Sequence, residues 1–230
     1  MHYHWEPLSA GVHRCRLPFL DVTVGVVQGT SGILLIDSGT TLLEASRIAE
    51  DVAVITGGAV THLVLTHHHF DHVLGSAGFP RAVSYAPSAV ATALTTGIGE
   101  LRSQALKYGA DPDAVDPAIA AMRAPDHEVT TVDLDLGGRT VHVEHPGLGH
   151  TDHDLIVVVP GERAVVFCGD LVEESADPAV DAGSDVRSWP LTLDRVLALG
   201  GPDGVYVPGH GAVVDAAFVR RQRDWLRNRL

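Results

Sequence analysis

The stretch Thr66-His67-His68-His69-Phe70-Asp71-His72 constrains this chain more than any other part of it. It follows Leu63-Val64-Leu65, a leucine and β-branched run of the kind that forms a buried strand, so its polar side chains stand where a strand ends. His67 and His69, two residues apart in an extended conformation, project to the same side, and Asp71 and His72 follow on the turn. The run therefore offers two imidazoles to one metal, and a carboxylate and a third imidazole to a second beside it. Neutral imidazole and carboxylate suit zinc, with iron or manganese admissible. A purification tag lies at a terminus and lacks an aspartate in register. This run is internal, follows an apolar strand and precedes a plausible helix start.

The 230 residues fit one domain of the larger sort, 1–230, and 14 of them are histidines. With 16 Lys and Arg against 29 Asp and Glu, the net charge of −13 repels a phosphate backbone, so no nucleic acid is expected as a partner. Cys15 and Cys168 are too few and too far apart for a disulfide framework or a cysteine-rich metal site, and read as free thiols. No basic region followed by an apolar core opens the chain, and no run reaches membrane-spanning length. The expectation is a cytoplasmic protein with no membrane partner; oligomeric state is left open.

In chain order, Val22 to Val27 and Ile33 to Ile36 read as a strand hairpin around Gly29-Thr30-Ser31-Gly32. The second strand runs into Asp37, which either caps the next helix or supports the metal ligands. Ala45, Ile48, Val52 and Ile55 define one helical face, closed by Gly57-Gly58. Ser88 to Arg123 is alanine-rich, with Gly97, Gly99, Gly109, Pro112 and Pro117 expected to divide it into short helical pieces, an insertion at about 88–125. Strands resume at Val129 to Val132 and Thr140 to Val143 around Gly137-Gly138. A glycine-rich loop then carries His150. The strand Ala164 to Phe167 ends in Cys168-Gly169-Asp170, and Val205 to Val207 ends in Pro208-Gly209-His210-Gly211. Ser188 is expected to cap a helix opened by Trp189-Pro190. The arginines after Asp215 (Arg220, Arg221, Arg223, Arg227, Arg229) are expected to form a solvated face.

Strand ends thus present, in order, the histidine run, His150, Asp170 and His210. Here the sequence resembles the metallo-β-lactamase-fold hydrolases, whose hallmarks are the His-x-His-x-Asp-His run, a Gly-His-Thr loop, a Gly-Asp after a strand and a late Gly-His; the resemblance runs from about Val12 to Val214. It implies an α/β fold, an αββα sandwich of two similar halves, and two zinc ions per chain. By the same resemblance His67, His69 and His150 ligate the first metal, Asp71, His72 and His210 the second, and Asp170 bridges. Asp37 matches the aspartate that supports the ligand histidines, and Thr66 a threonine common before the run. His145 and His153 lie near the His150 loop, while His2, His4, His13, His62, His127 and His142 receive no role.

Two cations sharing a water lower its pKa from ~16 to about 7, supply hydroxide and polarise a carbonyl; Asp71 or a water on the second metal could carry a proton to the leaving group. The expected function is a di-zinc hydrolase in which a metal-bridging hydroxide attacks a small ester, thioester, lactone or lactam, so the partner is a small-molecule substrate. The family's nucleases fit poorly because the chain is acidic, and its zinc β-lactamases with cysteine at the bridging place fit poorly because Asp170 stands there. Glyoxalase II shares the ligand set but adds a helical C-terminal part. The spacing most resembles uncharacterised bacterial hydrolases of the fold, including the quinoprotein-relay-associated group. The alternative is a mononuclear iron oxidoreductase of the persulfide dioxygenase type on the same histidines.

Overall fold

The computed structural model describes residues 1–229. They contain two β-sheets and seven α-helices, the α/β class expected, and the chain folds as two compact units.

The first unit comprises Met1–Val129 with Leu136–Gly138. Its sheet runs in simple spatial order through β1 (Trp5–Ser9), β2 (Val12–Arg16), β3 (Thr23–Gln28), β4 (Ile33–Ile36), β5 (His62–Val64), β6 (Val83–Ala86) and β7 (His127–Glu128). Pairing is antiparallel from β1 to β4 and parallel from β4 to β7. The switch occurs where α1 (Leu42–Thr56) forms the crossover between β4 and β5, as parallel neighbours require. Thr41 and Glu44 close a capping box at its start, and Gly57, with φ 73°, supplies the left-handed residue at its end. Ala45, Ile48 and Val52 bury the apolar face in one cluster with Val24, Val26, Leu35 and Leu63. Burial opposes the charge of Asp51, yet its carboxylate is held below the ordinary range. It accepts from Tyr3 N (2.8 Å), His2 N (2.6 Å) and Trp5 Nε1 (3.0 Å), pinning β1 to α1.

After β5 come α2 (Phe70–Val73), a 3₁₀ turn over Leu74–Gly78, and then α3 (Ser88–Thr95), α4 (Ile98–Lys107) and α5 (Pro112–Ala121). Gly99 and Pro117 do not divide this region as expected: they lie inside α4 and α5. Pro117 lacks the N–H that would bond the Asp113 carbonyl, but both residues are exposed, so water can satisfy that carbonyl. Pro112 fits the first turn of α5, behind the Asp111 cap.

The second unit comprises Thr130–Asp135 and Arg139–Leu230. Its sheet has the order β12 (Val205–Val207), β11 (Val165–Phe167), β10 (Ile156–Val159), β9 (Thr140–Glu144), β8 (Thr131–Asp135). Only β11 and β12 are parallel, and α6 (Trp189–Gly200) lies between them in sequence. α6 and α7 (Ala216–Arg227) bury Trp189, Leu193, Val196, Val219 and Leu226 in one cluster with Ile156, Val166 and Tyr206.

Two local expectations fail here. Ser188 precedes α6 but its side chain caps nothing: its own backbone is already helical (φ −83°, ψ −26°), where a capping residue is extended. The α7 arginines are only partly a solvated face. Arg223 and Arg227 donate to the Asp194 carboxylate of α6 at 2.6 and 2.8 Å, and Arg229 lies 3.6 Å over the Trp225 ring. Among the described residues no helix is long and apolar enough to cross a membrane.

Candidate metal centre

In the first unit the end of β4 and the end of β5 meet through Asp37. Its carboxylate is buried and accepts from Thr66 N (2.8 Å), Thr66 Oγ1 (2.9 Å) and His72 Nδ1 (2.8 Å). Asp37 adopts φ 59°, a left-handed conformation that aspartate tolerates better than most side chains. The helix-cap reading of Asp37 therefore falls, since Thr41 caps α1.

These bonds fix which imidazole nitrogens carry hydrogen. His72 Nδ1 faces a carboxylate and must donate, which leaves the lone pair on Nε2, 3.8 Å from Asp71 Oδ2. Thr66 Oγ1 spends its hydrogen on Asp37, so it accepts from His67 Nδ1 at 3.0 Å, and the His67 lone pair is likewise on Nε2. That atom lies 3.1 Å from His69 Nδ1. His67 and His72 are fully buried, with ring centroids 4.3 Å apart, and Asp71 is buried beside them. Within this unit, then, His67, His69, Asp71 and His72 form one donor set on a rigid base. Ser38 extends that base by donating to the His72 carbonyl from both N and Oγ at 2.9 Å.

In the second unit three strand ends converge. His150 Nδ1 faces the Ala179 carbonyl at 3.1 Å and donates to it, so Nε2 again holds the lone pair. The His150 loop is tied down on several sides. Asp154 accepts from Thr151 N and Oγ1 at 2.7 and 2.8 Å, Thr192 Oγ1 donates to Leu148 O at 2.6 Å, and Ser184 Oγ donates to His150 O at 2.8 Å. The Trp189 ring packs against the imidazole at 5.9 Å between centroids, its own N–H satisfied by Leu171 O at 3.0 Å. His145 Nδ1 meets Asp154 O at 2.8 Å and His153 N donates to Thr151 Oγ1 at 3.2 Å, so both brace this loop.

Asp170 Oδ2 stands 3.5 Å from His150 Nε2 and 3.4 Å from His210 Nε2. Donors of one tetrahedral ion, at metal distances of about 2.0–2.2 Å, are separated by about 3.3–3.6 Å. One carboxylate oxygen thus sits at co-ligand spacing from two imidazoles. Gly209 makes this possible, because a Cβ at residue 209 would fall 1.8 Å from Asp170 Oδ1. Buried imidazole and carboxylate, with nitrogen lone pairs set by hydrogen bonds on the opposite ring nitrogen, suit borderline divalent metals such as zinc.

Of the sequence-predicted ligands, the structure brings His67, His69, Asp71 and His72 together in the first unit and His150, Asp170 and His210 together in the second. Sequence reasoning passed over Glu173, which is buried and offers a ligand-type atom within 4.8 Å of one from Asp170 and one from His210. Its position three residues after Asp170 was the available signal. Cys168, beside Asp170 in sequence, is fully buried, and burial pushes its thiol well above the ordinary range, so it stays a neutral core residue.

The chain's relatives share this architecture. The family model described as the metallo-beta-lactamase superfamily matches residues 17–210. The chain is 26% identical over 206 residues to the metallo-beta-lactamase type 2 of Bacillus cereus, a match covering 88% of this chain and 72% of that one. It is 33% identical over 156 residues to the hydroxyacylglutathione hydrolase of Cupriavidus taiwanensis, covering 66% of this chain and 50% of that one. The solved metallo-beta-lactamase from Pontibacter korlensis has the same fold, with a TM-score of 0.74 at 22% identity over 98% of this chain and 99% of its own. Strand-end histidines and carboxylates, two sheets with flanking helices and a family match over most of the length lead to one conclusion: this chain belongs to the metallo-beta-lactamase superfamily of metal-dependent hydrolases.

Proposed function

We propose that this chain is a dinuclear zinc hydrolase of a small ester, thioester, lactone or lactam, acting in the cytoplasm, with residues 1–230 as one catalytic domain and about 88–125 as a helical insertion. His67, His69 and His150 hold the first ion, Asp71, His72 and His210 the second, and Asp170 joins them. The observation that carries the reading is Asp170 Oδ2 at co-ligand spacing from both His150 Nε2 and His210 Nε2 (3.5 and 3.4 Å). With His67, His69, Asp71 and His72 offering a further donor set, the seven donors exceed the four that one zinc ion takes, which supports a second ion.

Metal held by these residues would supply a water of lowered pKa and would polarise the scissile carbonyl. The protein's own groups do the rest. Asp37 and Thr66 hold the His72 and His67 rings in the tautomer that presents Nε2, so the donor set needs no rearrangement to bind. Asp71 Oδ2, beside His72 Nε2, is the atom that delivers a proton to the leaving group. Lactam and thioester belong in the substrate class because relatives carry the names metallo-beta-lactamase and hydroxyacylglutathione hydrolase, and an acyl group on the glutathione sulfur is a thioester.

Elemental analysis of protein purified without chelator should find zinc near two equivalents, and a panel of p-nitrophenyl esters, acyl thioesters, lactones and a chromogenic cephalosporin should include a turned-over substrate. His67→Ala and His150→Ala should each reduce that turnover to near background, with His2→Ala and His4→Ala unchanged. One equivalent of iron, or equal activity in all four variants, defeats the reading.

A further inference from the structure

We propose that Glu173 is a positioning residue for His210, holding that imidazole with its Nε2 lone pair toward the second ion; this rests on the reading of His210 as a ligand. Glu173 is buried, only 6% exposed, and a buried carboxylate is costly unless it is bonded. A parallel β-bridge sets its backbone beside that of His210, and Glu174 N donates to His210 O at 3.1 Å. From the other side Glu173 N donates to Gln222 Oε1 at 3.0 Å, and Gln222 Nε2 in turn donates to Leu171 O at 2.8 Å. Ser175 Oγ donates to Glu173 Oε1 at 2.7 Å. The carboxylate is therefore anchored before any metal arrives.

His210 needs such a partner. Its Nε2 points at Asp170 Oδ2, 3.4 Å away, where a protonated nitrogen would exclude a metal. Three other ligand imidazoles are kept in the Nε2 tautomer by an acceptor on Nδ1: Thr66 Oγ1 for His67, the Asp37 carboxylate for His72 and the Ala179 carbonyl for His150. In any histidine Nδ1 is the ring nitrogen nearer the backbone, and Glu173 is the acid that the β-bridge sets beside the backbone of His210, with a ligand-type atom within 4.8 Å. It fills the same role for the fourth ring.

The test uses the full chain and cobalt(II) in competition with a chelator, comparing wild type, Glu173→Gln and Glu173→Asp. Glutamine keeps the shape and can still accept from Ser175, so a purely structural role survives that change. The assignment expects the second equivalent to weaken about ten- to a hundredfold in Glu173→Gln. The first equivalent and the melting of metal-free protein should be unchanged, with partial recovery in Glu173→Asp. Long-range nitrogen NMR of metal-free protein should show His210 moving away from the Nε2-unprotonated tautomer in Glu173→Gln only. A variant with both affinities and the tautomer as in wild type overturns the Glu173 assignment alone, as does loss of both equivalents together with lowered melting. A wild-type protein that takes one equivalent overturns the two-ion reading and the Glu173 assignment with it.

Discussion

Replacing Asp37 by asparagine tests how the first unit holds its ligands, because it preserves shape and the tolerance for φ 59° while removing the charge. The carboxylate accepts three hydrogen bonds at 2.8–2.9 Å in a site that is 3% exposed. The amide oxygen can still accept from Thr66 N. The amide nitrogen must then face Thr66 Oγ1 and His72 Nδ1, both of which donate in the native protein. Each hydrogen bond to a charged group contributes about 1.5–3 kcal/mol, so two lost bonds come to about 3–6 kcal/mol. If His72 shifts its hydrogen to Nε2, Nδ1 can accept from the amide and the loss falls to about 2–4 kcal/mol.

That relief has a functional cost, since a hydrogen on Nε2 closes the nitrogen that faces Asp71. For a chain of this length each kcal/mol corresponds to about 2–4 °C in melting temperature, so metal-free Asp37→Asn should melt about 4–15 °C lower than wild type. Metal affinity at the His72 site should fall about ten- to a hundredfold. Calorimetry in excess chelator measures the first and chelator competition the second. Wild-type melting with wild-type affinity would refute the tautomer argument, and lowered melting with intact affinity would reduce Asp37 to a structural anchor.

Asp170→Asn should keep the fold yet lose most of one metal equivalent, activity falling with occupancy; wild-type affinity at both sites in zinc titration of the metal-free variant would remove the bridging role. Gly209→Ala forces a methyl to within 1.8 Å of Asp170 Oδ1, so a destabilisation of about 1–3 kcal/mol and lowered occupancy are expected from urea melts and elemental analysis. Intact occupancy would show that this strand end can retreat. His142 donates to Asp133 Oδ1 (2.6 Å) and Glu144 Oε2 (2.7 Å), and these bonds raise its pKa against the lowering effect of burial. A raised folded pKa gives stability that is full below the unfolded value of about 6.5 and lost as pH rises through the folded value. The gap in urea stability between wild type and His142→Gln, at most about 1 kcal/mol because the ring is partly exposed, should therefore close in alkaline solution; a gap that widens with pH would contradict it.

What the sequence made legible follows from period and punctuation. Ala45, Ile48 and Val52 repeat at helical spacing and do bury one face of α1, and the histidine run does leave the end of β5. β1 was invisible because Trp5–Ser9 contains Pro7 and only Trp5 is buried; its place depends on Asp51, far along the chain, collecting the first backbone donors. Pro117 misled because the one carbonyl it deserts, that of Asp113, belongs to the exposed first turn of α5, where water can satisfy it. Asp37 could not be decided from sequence, since helix cap and ligand support both want an aspartate at a strand end. Only the positions of Thr41 and His72 separate them. Glu173 was hidden for the same reason: an acid near a Gly-Asp motif is ordinary until a β-bridge to His210 gives it a neighbour.

The two units support their imidazoles by different means, and the difference has a consequence. His72 is backed by a buried carboxylate that two bonds from Thr66 hold in place, whereas His150 is backed by the neutral carbonyl of Ala179. A charged acceptor on Nδ1 makes the opposite nitrogen the more basic donor. Ala179 lies in an exposed segment without regular structure, so the orientation of His150 depends on how firmly that segment is tied. Ser184 Oγ on His150 O and Asp185 N on Gly149 O, both at 2.8 Å, do that tying. The first unit therefore presents its ligands from a scaffold set when the sheet forms, and the second presents His150 only once the 179–185 segment has docked on the loop. Substitutions in that segment should consequently weaken metal binding through His150 without touching a ligand, while the Asp37 network is insensitive to them.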